Sequence, residues 1–109
     1  MNLRLYLWQR GTAALMAPLL LVHLGVIFYA TRQGLTAADI LARTRGSLAW
    51  ALFYGAFVAA AAIHASIGLR TILAEWGRLR GRALDGASLA FGALLLILGL
   101  RAVAAVVLP

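Results

Sequence analysis

The chain has 109 residues, of which 64% are hydrophobic and only 12% are charged. Soluble domains are about 45–50% apolar and about 25% charged, so this composition excludes an ordinary water-soluble domain. The formal net charge is +7 with arginine as the only basic type, and the lack of cysteine excludes disulfides, iron–sulfur ligation and thiol catalysis by this chain.

Three apolar runs follow one another along the chain. The first covers residues 12–31, with Arg10 before it and Arg32 after it. About 20 residues, at about 1.5 Å per residue, cross a hydrocarbon core of about 30 Å. The second and third runs cover residues 47–73 and 87–108. The sequence therefore predicts an all-α integral membrane protein, one domain over residues 1–109, whose three transmembrane helices form part of a larger helical bundle.

The arginines lie at the ends of the apolar runs, which favours a role in membrane orientation over nucleic-acid binding. Three spans place the N-terminal tail and the second loop on the same side of the bilayer. That side carries Arg4, Arg10, Arg70, Arg78, Arg80 and Arg82, and the other side carries Arg32, Arg43, Arg45 and Arg101. Because positive charge is enriched in cytoplasmic segments, we expect a cytoplasmic N-terminus.

His64 lies inside the second run, where ionisable residues are costly and are functional by default. A helix turns by about 100° per residue, so several residues share the face of this histidine. They are Phe57, Ala60, Ala61, Gly68, Thr71 and Glu75. The residues nearest the imidazole, Ala60, Ala61 and Gly68, are small, and they predict a shallow, flat trough around the histidine. Such a surface suits a flat macrocycle, and a histidine nitrogen is a usual axial ligand of haem iron.

The same face has a second interpretation of equal weight. Small residues on a membrane helix also form the contact surface for a neighbouring helix, and a lone histidine there hydrogen-bonds across the interface. Ser66 lies away from this face, and we expect its hydroxyl to bond to a backbone carbonyl of its own helix. The residues alone leave haem ligation and helix packing open.

His23, near the middle of the first run, is another candidate haem ligand. Two axial nitrogens must reach one iron, and therefore lie at nearly the same depth in the membrane. Measured from the span midpoints, His23 and His64 differ in depth by roughly 8 Å. This favours His23 as a histidine between helices. The three acidic residues show no pairing suited to acid–base catalysis.

Two segments carry a resemblance to a known family. The stretch His64-Ala-Ser-Ile-Gly68-Leu-Arg70, followed by Glu75-Trp76, resembles the second helix of the membrane anchor subunits of succinate dehydrogenase and fumarate reductase. That family has His-x-x-x-Gly-x-Arg with an acidic residue eleven positions after the histidine. The segment Gln9-Arg10-Gly11-Thr12-Ala13 resembles the start of the family's first helix. Three helices over nearly the whole chain fit as well.

The resemblance implies roles for individual residues. His64 would be the axial ligand of haem b iron, with Gly68 beside the macrocycle and Arg70 reaching a propionate. Arg10 and Thr12 would line a quinone site. Trp76 stands where many family members have tyrosine, and its indole would donate a hydrogen bond there.

The resemblance also implies a setting and partners. The chain would be a non-catalytic subunit of a succinate:quinone oxidoreductase or fumarate reductase in the cell (inner) membrane, without an active site for succinate. Its partners would be flavoprotein and iron–sulfur subunits, a second membrane anchor subunit, and ubiquinone or menaquinone. The alternative is a haem-free structural anchor, or a small scaffold subunit of another membrane complex.

Overall fold

The computed structural model describes residues 2–108, and these form four helices. They are α1 (Leu3–Gln33), α2 (Ala37–Thr44), α3 (Leu48–Glu75) and α4 (Gly81–Val107). Three of them, α1, α3 and α4, are long and apolar enough to cross a membrane. This confirms the predicted all-α fold with three membrane-crossing helices. Helix α1 also continues well before the predicted span, so Arg4 and Arg10 lie on the helix and not on a loose tail.

Polar side chains cap the N-termini of α1 and α3. The Asn2 side-chain oxygen accepts from the backbone N–H of Leu5 at 2.9 Å, and the Ser47 hydroxyl accepts from that of Trp50 at 3.2 Å. Each bond satisfies one of the backbone donors that a helix start leaves unpaired. Gly34 ends α1 with a φ of 141°, a conformation that favours glycine.

Helix α3 lies between the other two long helices and packs on both, whereas α1 and α4 barely contact each other. The long axis of the molecule measures 47 Å, against 23 and 22 Å across it. Because α1 and α4 each use only one side against α3, most of their remaining surface is uncovered within residues 2–108, apart from the end of α4 that α2 contacts. The arrangement matches the expectation that these helices belong to a larger bundle.

The interface of α1 with α3 (the α1–α3 seam) repeats every three or four residues. The less exposed residues of α1 are Leu5, Gln9, Thr12, Met16, Leu19, His23, Val26 and Ala30. This spacing places one stripe of a helix against its neighbour. Two polar residues of the apolar run, Thr12 and His23, lie on that stripe, where they avoid lipid.

At the interface of α3 with α4, a stripe of α3 packs against glycines of α4. The stripe recurs at every fourth position and consists of Val58, Ala62, Ser66 and Arg70. A Cβ on Gly99 would overlap Val58, and a Cβ on Gly92 would lie 3.0 Å from Ser66. Glycines at these points let two helix backbones approach closely in lipid.

One expectation about this interface was wrong. The Ser66 hydroxyl donates to the backbone carbonyl of Ser88 on α4 at 2.7 Å, and not to a carbonyl of its own helix. The carbonyl of Ser88 is reachable because α4 packs so near. A hydrogen bond between helices in lipid is worth about 1 kcal/mol, so this bond adds to the packing of α3 on α4.

Helix α2 connects α1 to α3 and holds the end of α4. The Thr44 hydroxyl donates to the carbonyl of Val106, and the Gly46 N–H donates to that of Val107, each at 2.6 Å. Carbonyls at a helix C-terminus have no partner within the helix, so the α2 segment supplies two of the missing donors.

Candidate functional site

His64 on α3 meets Thr12 on α1 across the α1–α3 seam. The Thr12 hydroxyl oxygen lies 3.3 Å from Nδ1 of His64. The same hydroxyl is 2.7 Å from the carbonyl oxygen of Trp8 and 3.1 Å from that of Gln9, both on its own helix. Thr12 is only 6% exposed, so its contacts are made away from lipid and solvent.

The other ring nitrogen of His64 has a different surrounding. Nε2 makes no hydrogen bond to any of residues 2–108, and the side chain is half-buried. A histidine that binds a metal through one nitrogen usually makes a hydrogen bond through the other. The donor chemistry of His64 therefore fits an axial ligand that binds iron through Nε2.

The rest of the His64 face is packed by α1 at two further points. Phe57 contacts the ring of His23 edge-on, with centroids 5.3 Å apart. A Cβ on Gly68 would lie 3.5 Å from the side-chain nitrogen of Gln9. Ala60 is 3% exposed. The trough is therefore a contact surface for α1 at Gly68, and a macrocycle would have to bind beside His64 where α1 does not cover it.

Gln9 leaves a polar atom unpaired in the same seam. Its Oε1 is buried and has no hydrogen-bond partner among residues 2–108. A buried acceptor without a partner costs about 1–3 kcal/mol. Gln9 lies one helical turn from Thr12, so the seam offers a free acceptor close to His64.

Arg70 lies on the other side of α3. Its guanidinium forms an ion pair with the carboxylate of Asp85 on α4, and the two side chains are 32% and 56% exposed. This pairing joins α3 to α4, and the pattern of acidic residues alone did not suggest it. A guanidinium has five N–H donors, so Arg70 retains donors for a second acceptor. Its contact with a haem propionate remains a prediction.

The three residues predicted for a quinone site have different surroundings. Thr12 is buried in the α1–α3 seam. Arg10 is exposed on α1, with its guanidinium carbon 5.9 Å from the centre of the Tyr6 ring. Trp76 follows the last residue of α3 and is 84% exposed. Arg10 and Trp76 are thus available to a partner subunit, and Thr12 is committed to His64.

His23 lies two turns away from His64 along the seam. Its ring packs edge-on against Tyr54 at 5.9 Å as well as against Phe57. Phe57 is seven residues from His64, a rise of about 10 Å along α3. The distance along the helix agrees with the expectation that the two histidines lie at different depths. Nδ1 of His23 is buried without a hydrogen-bond partner within residues 2–108.

Sequence reasoning assigned no role to Gln9 or to the Trp8 carbonyl, although Gln9 is the first residue of the quoted segment and Trp8 directly precedes it. The signal was present in the spacing. Gln9 and Thr12 lie three residues apart on α1, and Thr12 and His23 lie eleven apart, which is about one and about three helical turns. Polar residues with that spacing share one face, which in lipid must be turned towards protein.

Comparison with known proteins gives one match. The family model described as succinate dehydrogenase/fumarate reductase transmembrane subunit matches residues 2–107. No curated protein and no solved structure gives a significant match. The matched range includes both segments on which the resemblance rested.

Proposed function

Because the chain belongs to the succinate dehydrogenase/fumarate reductase transmembrane subunit family, we propose that it anchors such a complex in the cell membrane, binds haem b through His64 and helps to form the quinone site. Membership of the family makes the chain a subunit of a larger complex. Its catalytic partners would be a flavoprotein and an iron–sulfur subunit, and a second anchor would cover the free sides of α1 and α4.

The haem assignment rests on the hydrogen-bond partners of the two ring nitrogens of His64. One nitrogen, Nδ1, lies against the Thr12 hydroxyl, and Nε2 has no partner within residues 2–108. Haem bound there would supply one-electron redox chemistry, with its potential tuned by the ligand and its surroundings. Gly68 would leave space beside the ligand, and Arg70 would pair with a propionate.

The quinone assignment places the head group at the cytoplasmic end of α1. Arg10 would donate hydrogen bonds from its planar guanidinium to a quinone carbonyl as negative charge develops on the oxygen. The exposed indole of Trp76 would offer one further donor. Since both side chains are exposed, a partner subunit would complete the site.

A haem-free structural anchor is the second candidate. It is favoured by the packing of α1 on the small-residue face of α3, where Ala60 is almost fully buried and Gln9 approaches Gly68. In that case the contact between Thr12 and His64 would serve only to hold two helices together.

Purification of the tagged chain from native membranes tests the proposal. We expect flavoprotein and iron–sulfur subunits to co-purify, and the reduced sample to show a b-type absorption band. The partners without the band would support the haem-free anchor. The absence of both partners would overturn the proposed function.

A further inference from the structure

We propose that Thr12 is a positioning residue for His64, because its hydroxyl oxygen accepts a hydrogen bond from Nδ1–H of His64 and so leaves the lone pair of Nε2 free to bind a metal. The contact joins α1 to α3 across fifty-two residues of sequence. The proposal rests on the haem-ligand assignment of His64 made above, but its first test needs no haem.

The position of the Thr12 proton decides the direction of this hydrogen bond. A hydroxyl has one proton to donate and lone pairs to accept with. The nearest acceptor is the Trp8 carbonyl at 2.7 Å, and the His64 nitrogen is farther away at 3.3 Å. A threonine inside a helix commonly donates to the carbonyl one turn earlier. The oxygen of Thr12 therefore presents lone pairs to His64, and the ring must supply the proton.

The choice of tautomer decides whether His64 can bind iron. A neutral imidazole carries one proton, and the nitrogen that carries it cannot coordinate a metal. With the proton on Nδ1, the Nε2 nitrogen keeps its lone pair. A donated hydrogen bond also raises the basicity of the ligand and orients the ring. In the opposite tautomer, the Nε2 lone pair would be lost before the metal arrived.

The burial of Thr12 strengthens the preference for the tautomer of His64 that carries the proton on Nδ1. Thr12 is 6% exposed, so water does not compete readily for its oxygen. In the other neutral tautomer, the lone pairs of Nδ1 and of the Thr12 oxygen would face each other in a seam of low polarity, unless the hydroxyl gave up its bond to the Trp8 carbonyl. From the cost of an unpaired buried acceptor, we expect the tautomer with the proton on Nδ1 to be favoured at least about fivefold.

The tautomer can be measured directly on the full chain in lipid bilayers without haem. Only two histidines are present, so ¹⁵N-histidine labelling gives few signals, and His23→Gln removes those of the second ring. In the native chain we expect His64 protonated on Nδ1. Thr12→Val replaces the hydroxyl with a methyl of similar size, and should shift the proton to Nε2. Thr12→Ser should restore the native signals.

Thr31→Val is the matched control. The Thr31 hydroxyl also donates to a carbonyl of α1, that of Phe28 at 2.7 Å, but is exposed and far from His64. Thr31→Val should leave the tautomer of His64 unchanged. A native His64 protonated on Nε2, or an unchanged tautomer in Thr12→Val, would overturn the proposal.

The assembled complex provides a second measurement. Loss of such a hydrogen bond typically weakens metal binding about 10- to 100-fold. Thr12→Val should release haem at correspondingly milder conditions and raise the reduction potential, because a less basic ligand stabilises ferric iron less; Thr12→Ser should retain both native values. If Thr12→Val keeps the native haem retention and reduction potential, the proposed role of Thr12 is overturned, but the assignment of His64 as the haem ligand is not. Full haem retention in His64→Ala would instead overturn the ligand assignment.

Discussion

Arg70, in the last two turns of α3, and Asp85, in the first two turns of α4, form an ion pair that joins these two helices. By the family resemblance, Arg70 is also expected to contact a haem propionate. The guanidinium therefore has a structural partner within the chain, whatever it contacts in the complex. The two roles are separable, because Asp85 takes part in only one of them.

Asp85→Asn and Arg70→Gln distinguish these roles. Both side chains are partly exposed, so we expect each change to lower the free energy of unfolding by only about 0.5–1 kcal/mol. Thermal denaturation of the purified complex measures this, and the exchange Arg70→Asp with Asp85→Arg should recover part of it. Only Arg70→Gln should loosen haem. Equal haem retention in the two single variants would limit Arg70 to the ion pair.

His64→Ala should abolish haem binding or strongly change the spectrum, because the only ligand assigned to this chain is removed. The haem-to-protein ratio and the reduced absorption spectrum of the complex measure the effect. His23→Ala is the matched control, since its ring packs on Tyr54 and Phe57 two turns away. Haem content near the native level is expected there, and marked loss would restore the pairing of both histidines on one iron.

Gly68→Leu should damage the α1–α3 seam, whereas Gly68→Ala should be tolerated. A Cβ at this position would lie at an ordinary contact distance of 3.5 Å from Gln9, but the outer carbons of leucine would overlap it. Overpacking of this kind costs about 1–3 kcal/mol.

The yield of assembled complex and its haem content test the Gly68 variants. Gly25→Leu is the control, because a Cβ there meets nothing within 4 Å. Normal assembly with full haem in Gly68→Leu would contradict both the packing and the haem interpretations of the trough.

Arg10→Lys should lower quinone reduction at least about tenfold, because lysine keeps the charge but not the planar fork of donors. Assembly, haem content and succinate oxidation with a soluble artificial acceptor should be unchanged, since arginine and lysine have the same effect on membrane orientation. Arg4→Lys, on an exposed position of the same helix, is the control. Native quinone turnover in Arg10→Lys would leave Arg10 as an orientation signal only.

Much of this protein was determined by the sequence alone. Apolar runs long enough for a bilayer predicted the three membrane helices, because only a helix satisfies its backbone within lipid. Two short motifs predicted the family, which the match over residues 2–107 confirms. Periodicity also placed Phe57, Ala60 and Gly68 on the face of His64, since the turn of a helix is a local property.

Only the tertiary structure decided which helix covers that face and which atoms meet there. Helical spacing does not show whether α1, α4 or another subunit packs on His64, because the same small residues suit any of them. The structure brings Thr12 to Nδ1 of His64, Ser66 to the Ser88 carbonyl and Arg70 to Asp85. Each of these contacts joins residues far apart in sequence, and depends on the depth and rotation of two packed helices, which no local pattern specifies.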